Sequence, residues 1–189
     1  MSELNSFFAK IHIKKDKFYE FLTAQPSQQL LNENWIAWWG SKEMYGKHEL
    51  TQEQIYIYSA PTNGEIINGW KTYEQSLTFS DYDEENEIWN FSIILFSENY
   101  SEMLEMLSFI KNIGSFKKEN NDDFAIVYDY FWGGNEVNAF ISFKEKQGFF
   151  DPAIQTKSDL NTDTLAYADS HLAKKWKEYE ENGSMDKFD

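Results

Sequence analysis

The carboxylates of the run DYDEENE are the side chains in this sequence whose types and spacing come nearest to a chemical site. Asp81, Asp83 and Glu85 alternate as the first ligands of a calcium-binding loop do. That loop also requires a glycine in its sixth position and a bidentate glutamate in its twelfth, where this sequence has Asn86 and Ser92. We therefore predict no calcium site and interpret the run as a solvated loop between two strands.

The remaining polar residues give no catalytic signature. The three histidines, His12, His48 and His171, stand apart from one another, and none has the second histidine that a zinc-binding helix carries. Ser115 lacks the strand–turn–helix setting of a hydrolase nucleophile, and the sequence has no glycine-rich phosphate loop. We therefore predict a protein that is not an enzyme, with no catalytic residue, no metal site and no cofactor.

Charge is the most unusual property of the sequence. The formal net charge is −15, from 32 acids against 17 bases, and every base is a lysine. Without arginine, the chain lacks the planar group that binds phosphate through two parallel hydrogen bonds. A nucleic acid would also be repelled at long range, whereas a basic protein would be attracted. The composition therefore argues against a nucleic-acid partner and favours a basic protein partner.

Three absences in the sequence bear on where the protein is located. There is no cysteine, so neither a disulfide framework nor a thiolate metal site can form. The segment 1–15 does not combine a basic start with a long apolar run, as a signal peptide does. No apolar stretch reaches the length that is needed to span a bilayer. We expect a cytoplasmic protein with no membrane partner.

Hydrophobic periodicity and turn residues indicate the elements that position these side chains. Strands are predicted at 6–13, 54–60, 71–79 and 88–96 and in a hairpin over 124–143. Helices are predicted at 16–25, 27–40, 101–113 and 163–180. Asp16 is predicted to cap the first helix, Ser27 the second, and either Ser97 or Ser101 the third. This order predicts an α+β fold, in which an antiparallel sheet has helices packed mainly on one face. We expect one domain over residues 1–189, with the segment 182–189 frayed.

Two segments share the order of strand, short polar link and amphipathic helix. They are FFAKIHIKKDKFYEFL and FSIILFSENYSEMLEML. Their similarity leaves open a degenerate duplication of a β-α-β-β unit, although any α+β chain can contain two such pairs.

The aromatic-rich stretch YDYFWGGNEVNAFISF poses a choice between a ligand-binding loop and a buried hairpin. Gly133 and Gly134 separate two alternating runs, and both tolerate the positive φ of a two-residue turn. Such a turn places Trp132 opposite Asn135, Tyr130 opposite Val137, Tyr128 opposite Ala139, Ile126 opposite Ile141 and Phe124 opposite Phe143. We therefore predict a half-buried hairpin whose glycines serve backbone geometry.

In its small size, its acidity, its α+β pattern and its lack of catalytic motifs, the chain resembles bacterial immunity proteins, which neutralise polymorphic toxins. The resemblance is one of overall character and assigns no residue a role. It implies a non-catalytic protein whose negative surface speeds its encounter with a cationic toxin, while exposed rings supply affinity. We expect the partner to be bound by acids of one run and by one ring, namely Asp81, Asp83, Glu84, Glu85, Glu87 and Trp132.

Two other classes of function remain open. One is a small-molecule-binding α+β module, in which the Trp-rich segment 35–39 and Trp132 line an apolar pocket. The other is an enzyme that uses carboxylates alone, with a divalent metal held by Asp81, Asp83 and neighbouring acids. A neighbouring gene for a large secreted protein with a variable C-terminal domain would favour the immunity function over both.

Overall fold

The computed structural model describes residues 4–43 and 47–183 of the chain. Its strands are β1 (Asn5–His12), β2 (Thr78–Asp83), β3 (Ile88–Ser97), β4 (Phe124–Tyr128), β5 (Val137–Lys144) and β6 (Gln147–Phe150). Its helices are α1 (Lys15–Thr23), α2 (Glu33–Gly40), α3 (Asn63–Thr72), α4 (Tyr100–Lys111) and α5 (Thr162–Gly183). Most of the segment that was expected to fray, 184–189, lies outside the described residues.

Within the described residues, six strands form one antiparallel sheet in the order β2-β3-β1-β4-β5-β6. β1 lies near its centre, where Ala9 is opposite Phe91 of β3 on one side and opposite Ala125 of β4 on the other. The strand β3 has neighbours along both edges, which suits its nearly continuous apolar sequence. The prediction of an α+β fold with an antiparallel sheet is confirmed.

The helices are divided unequally between the two faces of the sheet. The larger core contains residues from α1, α2, α3 and α4, among them Phe21, Trp35, Ile66 and Leu107. The smaller core lies on the opposite face, where Ala168 and Leu172 of α5 join Phe8 and Ile126 of the sheet. Fully burying a leucine, isoleucine or phenylalanine side chain contributes about 1.5–3 kcal/mol to stability. The prediction of helices mainly on one face is confirmed.

The segment 54–79 departs most from the prediction. No strand forms at 54–60, and α3 occupies residues that the sequence predicted as a turn (61–64), a short connection (65–69) and the start of a strand. Thr62 caps α3 by accepting a hydrogen bond from the backbone N–H of Glu65 (3.3 Å), and Ile66 is buried in the larger core. This local cap and the burial outweigh the strand propensity of the region, so that β2 begins only at Thr78.

Helix starts also differ from the prediction, because asparagine side chains provide the caps. α2 begins at Glu33 rather than after Ser27, since the Asn32 side chain accepts hydrogen bonds from two backbone N–H groups of its first turn. Asn99, rather than a serine, caps α4 in the same way. Asp16 lies inside the first turn of α1, where its negative charge favours the helix N-terminus without capping it.

The predicted hairpin over 124–143 forms as β4 and β5, but in a different register. Phe124 lies opposite Ser142 instead of Phe143. Since side chains alternate between the two faces of a sheet, a shift of one residue changes which side chains share a face. Phe124 therefore stacks on Phe140 at 5.9 Å in the smaller core, while Phe143 belongs to the larger core. The predicted register is wrong.

The turn of this hairpin is the loop 129–136 rather than two glycines. The Asp129 carboxylate organises the loop by accepting hydrogen bonds from the backbone N–H groups of Trp132 (3.0 Å) and Gly134 (2.9 Å). Gly133 has a φ of +81°, which favours glycine, and a Cβ at Gly134 would lie 2.1 Å from the Asp129 side chain. The glycines serve backbone geometry, as predicted, but within a longer loop that an aspartate holds.

The two similar segments of the sequence correspond to β1–α1 and β3–α4, and both helices pack in the larger core. In chain order, however, β3 would have to end the first β-α-β-β unit and also begin the second. The topology of the described residues is therefore not that of two consecutive copies of one unit.

Candidate functional site

The residues that were predicted to bind a partner lie at opposite ends of the sheet. Asp83 pairs with Ile88 where β2 turns into β3, whereas Trp132 lies in the loop that follows Tyr128 at the other end. The strand β1 runs between these ends and separates them by about 20 Å, at 3.3 Å per residue. We call them the Asp83 end and the Trp132 end. The structure does not bring the predicted acids and the predicted ring into one surface patch.

Most carboxylates of the Asp83 end are engaged within the molecule. Asp83 accepts hydrogen bonds from the side-chain amide of Asn86 (2.7 Å) and from the backbone N–H of Glu85 (2.9 Å), which hold its pKa below the usual range. Two further acids form ion pairs with lysines: Glu84 with Lys15, and Glu87 with Lys118. The turn thus satisfies much of its own charge and offers a partner fewer free carboxylates than the sequence indicates.

Asp81 contacts the helix α5. Its carboxylate lies 2.9 Å from Nζ of Lys175 and 3.7 Å from Nε2 of His171. Burial lowers the pKa of His171 to about 4, and its ring packs on Phe8 with centroids 5.1 Å apart. The ion pair of Asp81 and the packed, uncharged imidazole hold α5 on the edge strand β2, which gives Asp81 a structural role.

Trp132 is 43% exposed and belongs to a row of rings on the α5 side of the Trp132 end. Its ring packs edge-on against Phe131 at 5.2 Å, and Phe131 packs against Trp176 at 4.8 Å. Tyr179 continues the row at 5.9 Å from Trp176 and is also exposed. We call these four rings the aromatic patch. The predicted ring thus lies on the surface, among apolar neighbours that a partner can contact.

The Trp-rich segment 35–39 is part of the core. Trp35 and Trp38 are fully buried and pack on Phe150 at centroid distances of 4.7 and 4.6 Å. The indole of Trp38 also donates a hydrogen bond to the carbonyl of Asn138 (3.0 Å). These rings therefore form no aromatic surface with Trp132, and the apolar pocket that the small-molecule alternative placed here is not formed by them.

A groove at the Trp132 end combines carboxylates with aromatic rings, on the side covered by α3 and α4. It has a volume of about 560 Å³ and adjoins, at Trp70 and Tyr73, a more apolar pocket of about 330 Å³. Its acids are Glu98, Glu102 and Glu105, placed just before α4 and along its outer face. We call this feature the acidic groove.

The electrostatics of the acidic groove favour a cation. None of the described residues that line it or the adjoining pocket is a lysine. Partial burial, together with the charge of Glu102, raises the pKa of Glu105, because a dry place beside a like charge disfavours ionisation. Tyr73 is 55% exposed, and the Trp70 indole is fixed by its hydrogen bond to the hydroxyl of Tyr58 (3.2 Å). An ammonium or guanidinium group would gain from both carboxylates and ring faces.

The sequence reasoning did not single out the acids of this groove. Part of their signal lay on the polar face of the helix that was predicted over 101–113, where Glu102 and Glu105 stand at helical spacing, while Glu98 precedes that helix. The density of acids in the segment 81–87 indicated that segment instead. Density alone does not distinguish carboxylates that a turn satisfies locally from carboxylates that line an opening.

The carboxylate alternative requires a group of acids that could hold a divalent metal. Among the described residues, no group of three or more histidine, aspartate or glutamate side chains is placed to hold a metal ion. Asp81 is paired with Lys175 instead. Within 4–43 and 47–183, no helix has both the length and the apolar composition to cross a membrane.

Comparisons with protein-family models, with curated proteins and with solved structures give no match to this chain. Its function must therefore be argued from the molecule itself. The surfaces relevant to function are the acidic groove and the aromatic patch, which both lie at the Trp132 end. The acids of the Asp83 end are largely paired within the molecule.

Proposed function

We propose that this chain is a non-catalytic acidic binding protein that neutralises a basic protein partner, as an immunity protein against a cognate toxin in the bacterial cytoplasm. The observation that carries the proposal is the acidic groove, where carboxylates lie beside the exposed ring of Tyr73 and the half-buried ring of Trp70, and no lysine is among the described lining residues. The net charge of −15 supports it, because the field of the whole molecule attracts a cationic protein before contact.

A lysine or arginine side chain of the partner has the chemistry that the groove accepts. Its alkyl stem would pack on Trp70 and Tyr73, while its charged group would reach Glu102 and Glu105. Such pairing would return the pKa of Glu105 toward its ordinary value, since a nearby cation favours the ionised carboxylate. Contacts of this desolvated kind act mainly on the dissociation rate, whereas the net charge acts mainly on the association rate.

The aromatic patch supplies the apolar part of the proposed interface. It shares the Trp132 end with the acidic groove, although it lies on the α5 side of the sheet and the groove lies on the α4 side. A partner that covers this end would bury rings as well as charges, and stable interfaces bury about 800 Å² on each partner. Large rings such as Trp132 are the residue type that most often dominates binding energy.

Co-expression tests the proposed function. The toxin candidate is the C-terminal domain of a secreted protein encoded by the neighbouring gene, and it is expressed in the same cells with and without this chain. We expect the toxin alone to stop growth and the wild-type chain to restore it. A wild-type chain that neither restores growth nor binds the purified toxin domain would overturn the proposal, and a neighbouring gene without such a domain would count against the immunity role.

Two triple variants that each remove three negative charges locate the interface. Glu98→Gln/Glu102→Gln/Glu105→Gln should fold normally but lose protection, with binding weakened by roughly tenfold or more. The matched variant Asp83→Asn/Glu84→Gln/Glu85→Gln should protect as well as wild type, because these acids are engaged internally or lie about 20 Å away. The reverse result would assign the interface to the Asp83 end, as the sequence predicted. Full protection by both variants would remove these carboxylates from the mechanism.

A further inference from the structure

A second opening has the opposite chemical character from the acidic groove. It lies between the segment that precedes α2, the end of α4 and strand β6, and its volume of about 470 Å³ is in the range of small-molecule sites. Of its sixteen described lining residues, eight carry side-chain amides, two are lysines and none is acidic. In a chain with 32 acids and 17 bases, this cleft is a local exception to the negative surface.

Lys111, in the last turn of α4, is the buried cation of the cleft. It is 6% exposed, and its hydrogen-bond partner among the described residues is Oδ1 of Asn34, at a long 3.5 Å. Its ammonium also lies over the rings of Phe150 (4.2 Å) and Trp35 (5.0 Å). Burial lowers the pKa of Lys111 to about 7, because little in its surroundings replaces the water that a charged lysine loses.

Asn63 provides a second incompletely satisfied group in the same cleft. It is 2% exposed, and its amide nitrogen donates a hydrogen bond to the carbonyl of Phe21 (3.0 Å). Its Oδ1, by contrast, has no hydrogen-bond partner in the described part of the chain. A buried acceptor oxygen requires an O–H or N–H donor. The cleft therefore contains a buried cation and an acceptor that both need a partner.

A purely structural role for Lys111 does not account for this arrangement. Ring faces favour the charged form only modestly, and a methionine would fill the same space without a buried charge. Two other buried lysines have a carboxylate, since Nζ of Lys117 lies 2.8 Å from Oδ2 of Asp123 and Nζ of Lys175 lies 2.9 Å from Oδ1 of Asp81. The buried Lys42 has a close carbonyl instead, that of Val137 at 2.8 Å. Ionisable groups with poor compensation and perturbed protonation concentrate at binding sites.

The class of ligand follows from the groups that line the cleft. Lys111 and the exposed Lys146 favour an anion, but a dianion such as phosphate would find no arginine and would be repelled by the net charge of −15. The free oxygen of Asn63 and the many amides favour hydroxyl groups on the rest of the ligand. We propose that the cleft binds a small monoanionic carboxylate that carries hydroxyl groups. Lys111 donates a hydrogen bond to the carboxylate, and Oδ1 of Asn63 accepts one from a hydroxyl group.

Thermal unfolding and calorimetric titration of the full chain with D-gluconate test this proposal. Gluconate should bind and raise Tm, because a ligand of the native state stabilises it by mass action. D-glucose should leave Tm unchanged because it lacks the carboxylate, and inorganic phosphate should do so because it is a dianion without a hydroxylated carbon chain. Propionate should act weakly because it lacks the hydroxyl groups. Lys111→Met should fold and should weaken gluconate binding by roughly tenfold or more, the effect of losing one charged hydrogen bond.

Two further variants separate loss of the ligand site from loss of the fold. Lys42→Met is the matched control, because Lys42 is also buried but donates to the carbonyl of Val137 (2.8 Å) outside the cleft; it should bind gluconate normally. Ser115→Trp, at an exposed position of the cleft wall, should block binding with Lys111 in place. The proposal would be overturned by a wild type that ignores gluconate, by an equal response to phosphate or glucose, or by binding that survives both Lys111→Met and Ser115→Trp.

Discussion

Two lysines on either side of one short turn, Lys111 and Lys117, show two ways in which this chain buries a cation. Lys117 is 4% exposed, and its Nζ lies 2.8 Å from the carboxylate of Asp123. The same carboxylate accepts a hydrogen bond from the backbone N–H of His12 (2.9 Å) and lies 2.6 Å from Nδ1 of the His12 ring. Lys111 has only ring faces and a distant amide oxygen among the described residues.

The comparison shows that the partner of a buried charge says more about its role than its burial does. A lysine with a carboxylate can be explained by the fold alone, because Asp123 pairs with Lys117 and also binds the end of β1 through the backbone N–H of His12. A lysine without one leaves an electrostatic cost that the fold does not offset. Lys42 is intermediate, since it donates to a neutral carbonyl and to the amide of Gln155 (3.0 Å). The three lysines therefore form a series that stability measurements can rank.

The largest effect is expected for Lys117→Met. It should lower the free energy of unfolding by about 3–5 kcal/mol, because the carboxylate of Asp123 would remain buried without its cation. Chemical denaturation at neutral pH measures this loss. The double variant Lys117→Met/Asp123→Asn should recover part of it, since the remaining charge is removed as well. A double variant no more stable than the single one would speak against the ion pair as the cause.

An intermediate effect is expected for Lys42→Met. The carbonyl of Val137 would lose its buried donor, which costs roughly 1–3 kcal/mol. Part of this cost is offset, because burial already lowers the pKa of Lys42 to about 8 and the variant removes that penalty. The same denaturation experiment applies. A loss as large as that of Lys117→Met would mean that a carbonyl compensates a cation as well as a carboxylate does.

The smallest effect on stability, with the opposite sign, is expected for Lys111→Met. The folded pKa of Lys111 is about 7 against 10.5 for the free side chain, so between these values the unfolded chain binds more protons. The stability that Lys111 contributes is therefore present above about pH 10.5 and is lost as the pH falls from there to about 7. At pH 7 the variant should be as stable as wild type or more stable by about 1 kcal/mol.

The pH dependence of that difference is the sharper measurement. From about pH 7 to about pH 9, the unfolding free energy of wild type should rise relative to that of Lys111→Met, by at most about 1.4 kcal/mol per pH unit. Comparing the two proteins cancels the titration of groups that they share. A difference that stays constant over this window would contradict a lowered pKa and would place Lys111 with the ordinary lysines of the surface.

Those elements that the sequence predicted well are the ones whose signal is local and repeated. α4 and α5 present several apolar residues at helical spacing, and β3 is apolar along most of its length. The segment 54–60 is also rich in β-branched and aromatic residues, but it forms no strand, and Tyr56 and Ile57 remain exposed. The register of β4 and β5 could not be predicted from the hydrophobic pattern, because it depends on the longer loop that Asp129 stabilises by accepting hydrogen bonds from the backbone.

The candidate sites show the same limit. The acids of the segment 81–87 are visible in the sequence, but their lysine partners lie far away along the chain, as Lys15 and Lys118 do. In the sequence, Lys111 cannot be distinguished from an ordinary exposed lysine in the last turn of a helix, where a positive charge is favoured. Its burial depends on the packing of Asn34 and Phe150 around it, which long-range folding alone decides.

The position of β1 has a consequence for the order in which the molecule can assemble. This strand is made early but lies between two strands that are made much later, since Ala9 pairs with Phe91 and with Ala125. During synthesis both edges of β1 stay open until β3 emerges from the ribosome, and one edge stays open until β4 follows. Contacts between such distant residues also slow refolding from denaturant. An apolar strand thus remains unpaired until both partner strands have been synthesised, and during that time chaperones can bind it and other chains can aggregate with it.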